Sequence, residues 1–246
     1  MSLGKTRLDQ QLVSLSVFES RARATVAIKA GQVTVNGITV KKASMSVSPN
    51  DVIEAEAAHD FVSRGALKLQ KGLAHFGYAT RNGVFADIGA STGGFTDVLL
   101  RQGAAFVYAV DVGQDQLHES LHGDARVDNM AGINARHLSA ADFDRSLDGL
   151  VCDVSFISQT KVLAVLAPSL PEKAWAIALI KPQFELDKAA LSKNGVVTDA
   201  DLRLAVCGDV SHWWQAHGWR VDDIIESPIT GPQGNVEYLI GARKSA

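Results

Sequence analysis

Two charged residues stand at the carboxyl ends of apolar runs of strand length, at the position where open α/β sheets bind their ligands. Asp153 closes the run 150–153, and Lys181 follows the run 174–180. A carboxylate and an ammonium group at strand ends can move a proton or stabilise a developing charge. A lysine at the end of a buried strand is unusual, although an ordinary surface lysine would fit the same pattern. The two residues therefore mark a candidate reaction site.

Two more charged residues are candidates for the same site, one before and one after these runs. Lys68 precedes the first predicted strand, and Glu237 lies at the start of the last predicted strand, 236–241. Each also fits a solvated surface charge. Their spacing along the chain does not by itself connect them with the other two.

A glycine-rich loop between a predicted strand and a predicted helix is the clearest binding motif. The strand 84–88 leads into Gly89, and the helix is predicted over 95–102. Glycines let the backbone approach a ligand closely, and a helix N-terminus offers free N–H groups. A dinucleotide fingerprint needs glycine at its first, third and sixth positions, but the third position here is Ser91. A pyrophosphate is therefore disfavoured, and a loop that serves only tight packing is the weaker alternative.

Polar residues around this loop favour S-adenosylmethionine as the cofactor. Asp87 can reach the ammonium of the amino-acid end, directly or through water. Asp111 ends the second predicted strand, where an acid can hold both ribose hydroxyls. Asn129, after the third strand region, could face the adenine or be a surface-turn asparagine. The predicted cofactor contacts are Asp87, Gly89, Ala90, Ser91, Thr92, Gly93, Gly94, Phe95, Thr96, Asp111, Asn129 and Asp153.

The residues after Asp153 bear on the group that would accept a methyl group. Methyltransferases that act on the amino groups of bases often carry an Asn/Asp-Pro-Pro-aromatic motif at this point. Here Val154 and Ser155 occupy the two positions of the prolines. The segment therefore argues against an amino group as acceptor and leaves hydroxyl groups open.

From residue 84 onward, strand-length apolar runs alternate with helical stretches, which predicts a doubly wound, Rossmann-like α/β sheet. The clearest helix is predicted over 198–217, with Thr198 as a candidate N-cap. Two late strands, 219–225 and 236–241, add an antiparallel strand at the end, after the turn 230–234. The buried parallel strands are predicted over 84–88, 106–112, 150–153 and 175–180.

The first 55 residues predict a separate, small α+β unit. Leucines spaced by four and three residues predict a helix over 5–17. A second helix is predicted from Glu19 and Ser20 to about Ala30. Asn36-Gly37 between two β-rich runs predicts a hairpin.

Charge is distributed unevenly along the chain. The 246 residues carry a net charge of −3, but residues 1–50 contain seven basic and only two acidic side chains. A basic end on an acidic chain indicates an anionic partner, unless these charges only form a solvated helix face.

The composition indicates an ordinary globular protein of a reducing cytoplasm. Cys152 and Cys207 are the only cysteines, and two distant thiols predict neither a disulfide framework nor a metal site. No apolar run reaches the length needed to span a bilayer. The polar residues from Lys5 onward predict no signal peptide.

The order Lys68, Asp153, Lys181, Glu237 around the glycine-rich loop resembles the FtsJ-type ribose 2′-O-methyltransferases. Those enzymes carry a Lys-Asp-Lys-Glu tetrad, and the name tetrad is used below for these four residues. The resemblance implies that all four are catalytic.

Residues 5–243 are similar to one branch of these enzymes, the TlyA (hemolysin A-like) ribosomal RNA methyltransferases. That branch begins with an S4 RNA-binding domain, which residues 7–9, 20–23 and 28–37 match. The segment 62–69 also matches the branch. The resemblance implies an S4 domain over 5–59, a linker and leading helix with Lys68 over 60–83, and a methyltransferase domain over 84–246.

The resemblance further implies methylation of a ribose 2′-hydroxyl, with cytidine as the nucleotide. The implied partners are ribosomal RNA or ribosomal subunits, with no membrane. The implied RNA contacts are Arg7, Arg21, Arg23, Lys29, Lys41 and Arg64.

Such a reaction needs no metal, because the sulfonium of the methyl donor already carries the positive charge. Catalysis would rest on positioning and on removal of the hydroxyl proton. Lys181 is the expected base, or else the cation that stabilises the developing alkoxide. Burial and the nearby Lys68 favour a neutral lysine, whereas Asp153 and Glu237 favour a charged one.

Three other functions fit the sequence less well. The complete tetrad argues against an RNA-binding protein without catalysis. A small-molecule O-methyltransferase would have no use for residues 5–55. A membrane-lytic protein would need a long apolar span or a strongly basic amphipathic helix. Trp213 and Trp214 could anchor to a membrane, but core packing within a helix is the favoured interpretation.

Overall fold

The computed structural model describes residues 5–15, 17–18, 20–49, 51–55, 61–187, 190–192, 194–231 and 234–245. The chain divides between residues 60 and 61 into two compact units. Three predictions fall outside the described residues: the helix start at Glu19, the middle of the turn 230–234, and the domain boundary at residues 59 and 60.

The first unit has a small core of its own between helices and short strands. Two antiparallel sheets form, because β1 pairs with β4, and β2 pairs with both β3 and β5. Leu8, Leu12 and Ile28 are fully buried in this core. The described elements are β1 (Thr6–Arg7), α1 (Leu8–Ser14), α2 (Arg21–Lys29), β2 (Val33–Val35), β3 (Ile38–Thr39), β4 (Ser46–Val47) and β5 (Ile53–Ala55).

The predicted helix over 5–17 is wrong at both ends. Thr6–Arg7 is a strand paired with Ser46–Val47, so its backbone groups find partners across a sheet instead of along a helix. The second helix is confirmed, and Ser20 caps it by accepting a hydrogen bond from the backbone N–H of Arg23. The hairpin is confirmed as well: Asn36-Gly37 has φ values of 53° and 77°, which suit a tight turn of the primed type.

The second unit is a three-layer α/β structure. Its helices and strands alternate along most of the chain, and two short 3-10 helices follow β8. The described elements are α3 (Gly65–Phe76), β6 (Val84–Ile88), α4 (Gly94–Arg101), β7 (Phe106–Asp111), α5 (Glu119–His122), β8 (Val127–Ala131), β9 (Gly149–Cys152), α6 (Gln159–Val162), α7 (Leu166–Ser169), β10 (Trp175–Ile180), α8 (Pro182–Glu185), α9 (Ala200–Ala216), β11 (Trp219–Glu226) and β12 (Tyr238–Lys244).

The seven strands of this unit confirm the predicted doubly wound sheet. Their order is β11-β12-β10-β9-β6-β7-β8. The five strands from β10 to β8 are parallel, and β12 runs antiparallel to β10 and β11. The chain moves outward from β6 to β8 and then returns to β9 on the other side of β6. The carboxyl ends of β6 and β9 therefore form the switch point where such sheets bind ligands.

Both faces of the sheet are covered by apolar side chains. One face packs against α9, where Trp214 is fully buried and its indole N–H donates to Gln159 Oε1. The other face packs against α3 and α4, with Leu69 and Phe85 among the fully buried residues. This packing confirms the core interpretation of Trp214. In the described part of the chain, no helix combines the length and apolar character that crossing a membrane requires.

Several predicted boundaries in this unit differ from the observed ones, most of all those of α9 and β12. Asp199, not Thr198, caps α9, because its carboxylate accepts hydrogen bonds from the N–H groups of Asp201 and Leu202. The last strand begins at Tyr238 instead of residue 236, since the pairing with β10 and β11 starts only there.

Candidate active site

The loop after β6, residues 89–93, is called the cofactor loop below. Gly89 has φ +83°, and a Cβ at this position would lie 2.9 Å from the carbonyl oxygen of Asp153. The N–H groups of Gly89 and Ala90 donate to the carbonyl of Val110 at 2.9 and 3.1 Å. Only glycine therefore allows the loops after β6 and β9 to approach this closely.

Asp87 lies beneath the cofactor loop and is fully buried. Its Oδ2 accepts two hydrogen bonds from Thr96, at 2.9 Å from the backbone N–H and 2.7 Å from the hydroxyl. Its Oδ1 is buried and has no hydrogen-bond donor among the described residues. Burial raises the pKa of Asp87 to about 7, although the hydrogen bonds from Thr96 oppose that shift. The unpartnered oxygen suits a cationic donor, such as the ammonium group of an amino acid.

Asp111 is the last residue of β7, as predicted, and its carboxylate is fixed by two backbone groups. Oδ2 accepts from the N–H of Ser91 at 2.8 Å, and Oδ1 accepts from the N–H of Gly113 at 2.7 Å. Each carboxylate oxygen retains a lone pair for a second donor. The arrangement can hold a pair of neighbouring hydroxyl groups.

Some of the predicted cofactor contacts lie differently from what the sequence indicated. Asn129 is not after the third parallel strand but within it: it is exposed in β8 and paired with Ala109. The side chain of Phe95 is buried in the core under α4. Ser91 and Thr92 are exposed on the cofactor loop.

The four tetrad residues come from four separate segments and meet in the second unit. Lys68 projects from α3, and its Nζ lies 2.7 Å from Glu237 Oε2, just before β12. The same Nζ lies 3.4 Å from Asp153 Oδ2, just after β9. Asp153 Oδ1 lies 2.5 Å from the Nζ of Lys181, which follows β10. The four side chains thus form a continuous chain of opposite charges.

Burial makes these contacts strong and mutually dependent. Glu237 is 1 % exposed, Lys68 7 % and Lys181 6 %. Two ammonium groups and two carboxylates cancel in charge, which offsets the large cost of removing single charges from water. Burial acts to raise the pKa of Asp153, but the attraction of Lys181 and Lys68 outweighs it, so the pKa lies below its ordinary value. Asp153 therefore stays ionised and holds both lysines in place.

Three residues near the tetrad were not identified from the sequence. Ser155 Oγ accepts a hydrogen bond of 2.8 Å from Lys181. Gly231 faces Glu237 Oε1, and a Cβ there would lie 2.1 Å from this oxygen. Phe156 has φ +67° and is 90 % exposed, with its ring 5.3 Å from that of Phe184. Only the position just after Asp153 could have drawn attention to Ser155 and Phe156.

The predicted RNA contacts fall in both units. In the first unit, Arg7 and Arg21 form ion pairs with Asp9, and Arg23, Lys29 and Lys41 are exposed. In the second unit, Arg64 stands at the N-terminal end of α3. Among the described residues, no group of three or more histidine, cysteine or acidic side chains could hold a metal ion.

Comparison with known families defines the class of protein. The family model described as FtsJ-like methyltransferase matches residues 61–244, and the model described as S4 domain matches residues 6–53. The second unit is thus an FtsJ-like methyltransferase domain, and the first carries an S4 domain.

Individual relatives narrow the class further. Hemolysin A of Brachyspira hyodysenteriae is 39 % identical over 234 residues, covering 95 % of this chain and 98 % of the relative. The 16S/23S rRNA (cytidine-2′-O)-methyltransferase TlyA of Mycobacterium tuberculosis is 39 % identical over 241 residues, covering 97 % and 90 %. A solved structure from Streptococcus thermophilus, described only as a candidate hemolysin, has a TM-score of 0.77 and 36 % identity, covering 99 % and 90 %. The chain belongs to the TlyA (hemolysin A-like) family.

Proposed function

We propose that this protein transfers a methyl group from S-adenosylmethionine to a ribose 2′-hydroxyl of ribosomal RNA. The observation that carries the proposal is the buried chain Glu237–Lys68–Asp153–Lys181, which reaches the switch point of the sheet beside the cofactor loop. When bound, S-adenosylmethionine supplies a methyl group on a positively charged sulfur. A charge-balanced site with two lysines suits a hydroxyl acceptor, which must lose a proton during the transfer.

The residues around the cofactor loop fit the two polar ends of this cofactor. Asp87 Oδ1 is the buried acceptor that would hold the ammonium group. The fixed carboxylate of Asp111 would hold the ribose hydroxyls. Gly89 lets the cofactor loop lie directly against the backbone of Asp153, so that both would border the same ligand. Asn129 remains a proposed adenine contact from the exposed face of β8.

Each tetrad residue has a distinct role in this proposal. Lys181 meets the ribose hydroxyl, either to take its proton or to stabilise the alkoxide as it forms. Asp153 orients Lys181 through the 2.5 Å ion pair. Lys68 holds Asp153 and is itself held by Glu237 at 2.7 Å. Glu237 and Lys68 are therefore positioning residues, and Lys181 is the residue that contacts the substrate.

Three observations support ribosomal RNA as the substrate. The S4 domain is the basic part of an otherwise acidic chain. The TlyA relative is named for cytidine-2′-O methylation of 16S and 23S rRNA, so cytidine is the proposed nucleotide. Phe156 offers an exposed ring three residues beyond Asp153. Unstacked RNA bases commonly stack on exposed aromatic rings of this kind. The exposed Arg23, Lys29 and Lys41 and the half-buried Arg64 are proposed phosphate contacts.

The decisive experiment is transfer of tritiated methyl groups to 16S and 23S RNA and to intact 30S and 50S subunits, followed by mapping of the modified nucleotide. We expect a single 2′-O-methylated cytidine in one or both RNAs. Lys181→Ala should abolish transfer while S-adenosylmethionine still binds. Methylation of a base nitrogen, or near-normal transfer by Lys181→Ala, would contradict the proposal.

A further inference from the structure

A buried carboxylate joins two of the arginines in the first unit. Asp9 is 2 % exposed. Arg7 donates two hydrogen bonds to Asp9, from Nε to Oδ1 at 2.9 Å and from Nη2 to Oδ2 at 3.0 Å. Arg21 Nη2 donates to the same Oδ2, also at 3.0 Å. Since both guanidinium groups share one oxygen, they lie side by side.

The anion of this cluster points inward and the two cations point outward. The side chains of Arg7 and Arg21 are 45 % and 54 % exposed, whereas that of Asp9 is 3 % exposed. Two positive charges around one negative charge leave a net positive charge at the surface. A guanidinium group has five N–H donors, and in the described part of the chain the remaining donors of both arginines have no protein acceptor.

We propose that Arg7, Asp9 and Arg21 form a clamp for one phosphate of the RNA backbone, in which Asp9 holds the two arginines ready for binding. The inference rests on the proposed function for the nature of its ligand. Guanidinium groups match the oxygens of a phosphodiester with paired hydrogen bonds. The guanidinium groups of Arg7 and Arg21 are neighbours and both open to solvent, so they suit a single anion with several free oxygens.

Asp9 strengthens binding because it orders the arginines in advance. A free arginine side chain samples many rotamers and loses them when it binds a ligand. Here the contacts with Asp9 have already removed that freedom. The hydrogen bonds from Arg7, followed by the single one from Arg21, hold the pKa of Asp9 well below its usual range despite burial. The carboxylate therefore stays charged at any pH near neutral, and the clamp is permanently formed.

The clamp and the net charge predict opposite effects on RNA binding when Asp9 is neutralised. Neutralising an acid in a basic RNA-binding unit raises its positive charge, which by itself strengthens binding to RNA. In the clamp, Asp9→Asn releases both arginines from their ordered positions. Binding should therefore weaken although the net charge becomes more positive.

The test measures binding of the full-length protein to 30S and 50S subunits and to naked 16S and 23S RNA at several salt concentrations. We expect Asp9→Asn to raise the Kd roughly threefold to tenfold, the loss expected from disordering two charge-assisted contacts. Glu54→Gln is the matched control, because it changes the charge equally in the same unit, at an exposed residue bonded to Thr34. Its Kd should equal that of the wild type or lie slightly lower. If Asp9→Asn binds as tightly as Glu54→Gln, the clamp is overturned.

Variants that keep the charge provide a second test, which does not depend on the folding of Asp9→Asn. Arg7→Lys and Arg21→Lys preserve the positive charge but lose the paired geometry of the guanidinium. Both should bind RNA more weakly than Arg81→Lys, which alters an exposed turn residue before β6. Thermal unfolding of every variant identifies any loss of fold. Folded Arg7→Lys and Arg21→Lys proteins with the Kd of Arg81→Lys would also overturn the clamp.

Methyl transfer measured on the same preparations separates this inference from the proposed function. For Asp9→Asn we expect a higher KM for RNA and an unchanged kcat at saturating RNA. A wild-type protein that methylates RNA, together with clamp variants of unchanged KM and Kd, contradicts the clamp alone. A wild-type protein that binds RNA without methylating it contradicts the function, and the variants then decide the clamp. A wild-type protein that binds none of these RNAs overturns both.

Discussion

Lys181 Nζ donates a 2.8 Å hydrogen bond to Ser155 Oγ, two residues beyond the carboxylate with which the same lysine is paired. The lysine is buried and the serine is exposed, so this contact marks the solvent-facing end of the tetrad. Asp153 fixes one direction of the ammonium group, and Ser155 fixes a second. We therefore propose that Ser155 positions Lys181, the residue proposed to meet the substrate.

Removal of the Ser155 hydroxyl should slow the reaction without affecting cofactor binding. We expect Ser155→Ala to lower kcat roughly tenfold, the effect of losing one hydrogen bond to a charged group. Ser155→Thr keeps a hydroxyl and should retain most of the activity. Ser169→Ala is the control, because Ser169 also forms hydrogen bonds but precedes β10, at the opposite end of the strands. A kcat and a pH–rate profile identical to wild type in Ser155→Ala would remove this role.

Two substitutions at Lys181 distinguish its two proposed roles. Lys181→Ala removes both the charge and the proton acceptor and should abolish transfer. Lys181→Arg keeps a positive charge that cannot give up its proton at neutral pH. If Lys181 stabilises the alkoxide, the arginine variant retains measurable single-turnover methyl transfer; if Lys181 is the base, it retains none. Calorimetric binding of S-adenosylmethionine to both variants checks that the cofactor site is intact.

Gly231 should be intolerant of even one added carbon atom. A Cβ at this position would lie 2.1 Å from Glu237 Oε1, so the carboxylate must move away from Lys68. We expect Gly231→Ala to lower the free energy of unfolding by about 1–3 kcal/mol and to reduce kcat. Both are measured by urea denaturation and methyl transfer.

The control for this substitution lies in α9. A Cβ on Gly208 would meet nothing within 4 Å, so Gly208→Ala should stabilise the helix by up to about 1 kcal/mol. Equal effects of the two substitutions would show that the contact between Gly231 and Glu237 has no importance.

Asp87 should make the stability of the protein depend on pH near neutrality. Burial raises its pKa to about 7 in the folded protein, above its value in the unfolded chain. The folded state therefore binds this proton more tightly, and the stabilising contribution falls as pH rises from about 4 to about 7. Asp87→Asn carries no such proton. The difference in free energy of unfolding, wild type minus variant, should decrease over this range in urea denaturation without cofactor.

An exposed acid provides the comparison for Asp87. Asp209→Asn neutralises a carboxylate on the surface of α9 and should give a much flatter difference across the same pH range. Saturating S-adenosylmethionine should also weaken the pH dependence of the free energy of unfolding of the wild type, because an ammonium group beside Asp87 favours its ionised form. A constant difference between wild type and Asp87→Asn at every pH would refute the raised pKa.

The sheet could be predicted from sequence because its elements have strong local signals. Buried parallel strands are nearly continuous apolar runs, and Gly89 marks a turn with positive φ. The errors occurred where a distant partner decides the local structure. Thr6–Arg7 has no strand signal of its own and becomes a strand only by pairing with Ser46–Val47.

Only part of the candidate site could be predicted from local signals in the sequence. The sequence placed Asp153 and Lys181 at strand ends, where the structure has them. Lys68 and Glu237 are 169 residues apart, and no local pattern predicts their contact; only the resemblance to a family joined them. Ser155 and Gly231 were missed because their contacts depend on the path of a loop, which periodicity and propensity do not describe.

The position of strand β12 in the chain determines when, during synthesis, the sheet and the tetrad can be completed. It lies between β10 and β11 in the sheet, yet it is the last of the described strands to be synthesised. A nascent chain that ends before residue 237 already has the cofactor loop, Asp153 and both lysines, but Lys68 still lacks Glu237. The sheet is then also left with an open edge at β10. Addition of residues 237–244 therefore fills the gap between β10 and β11 and completes the tetrad in the same step.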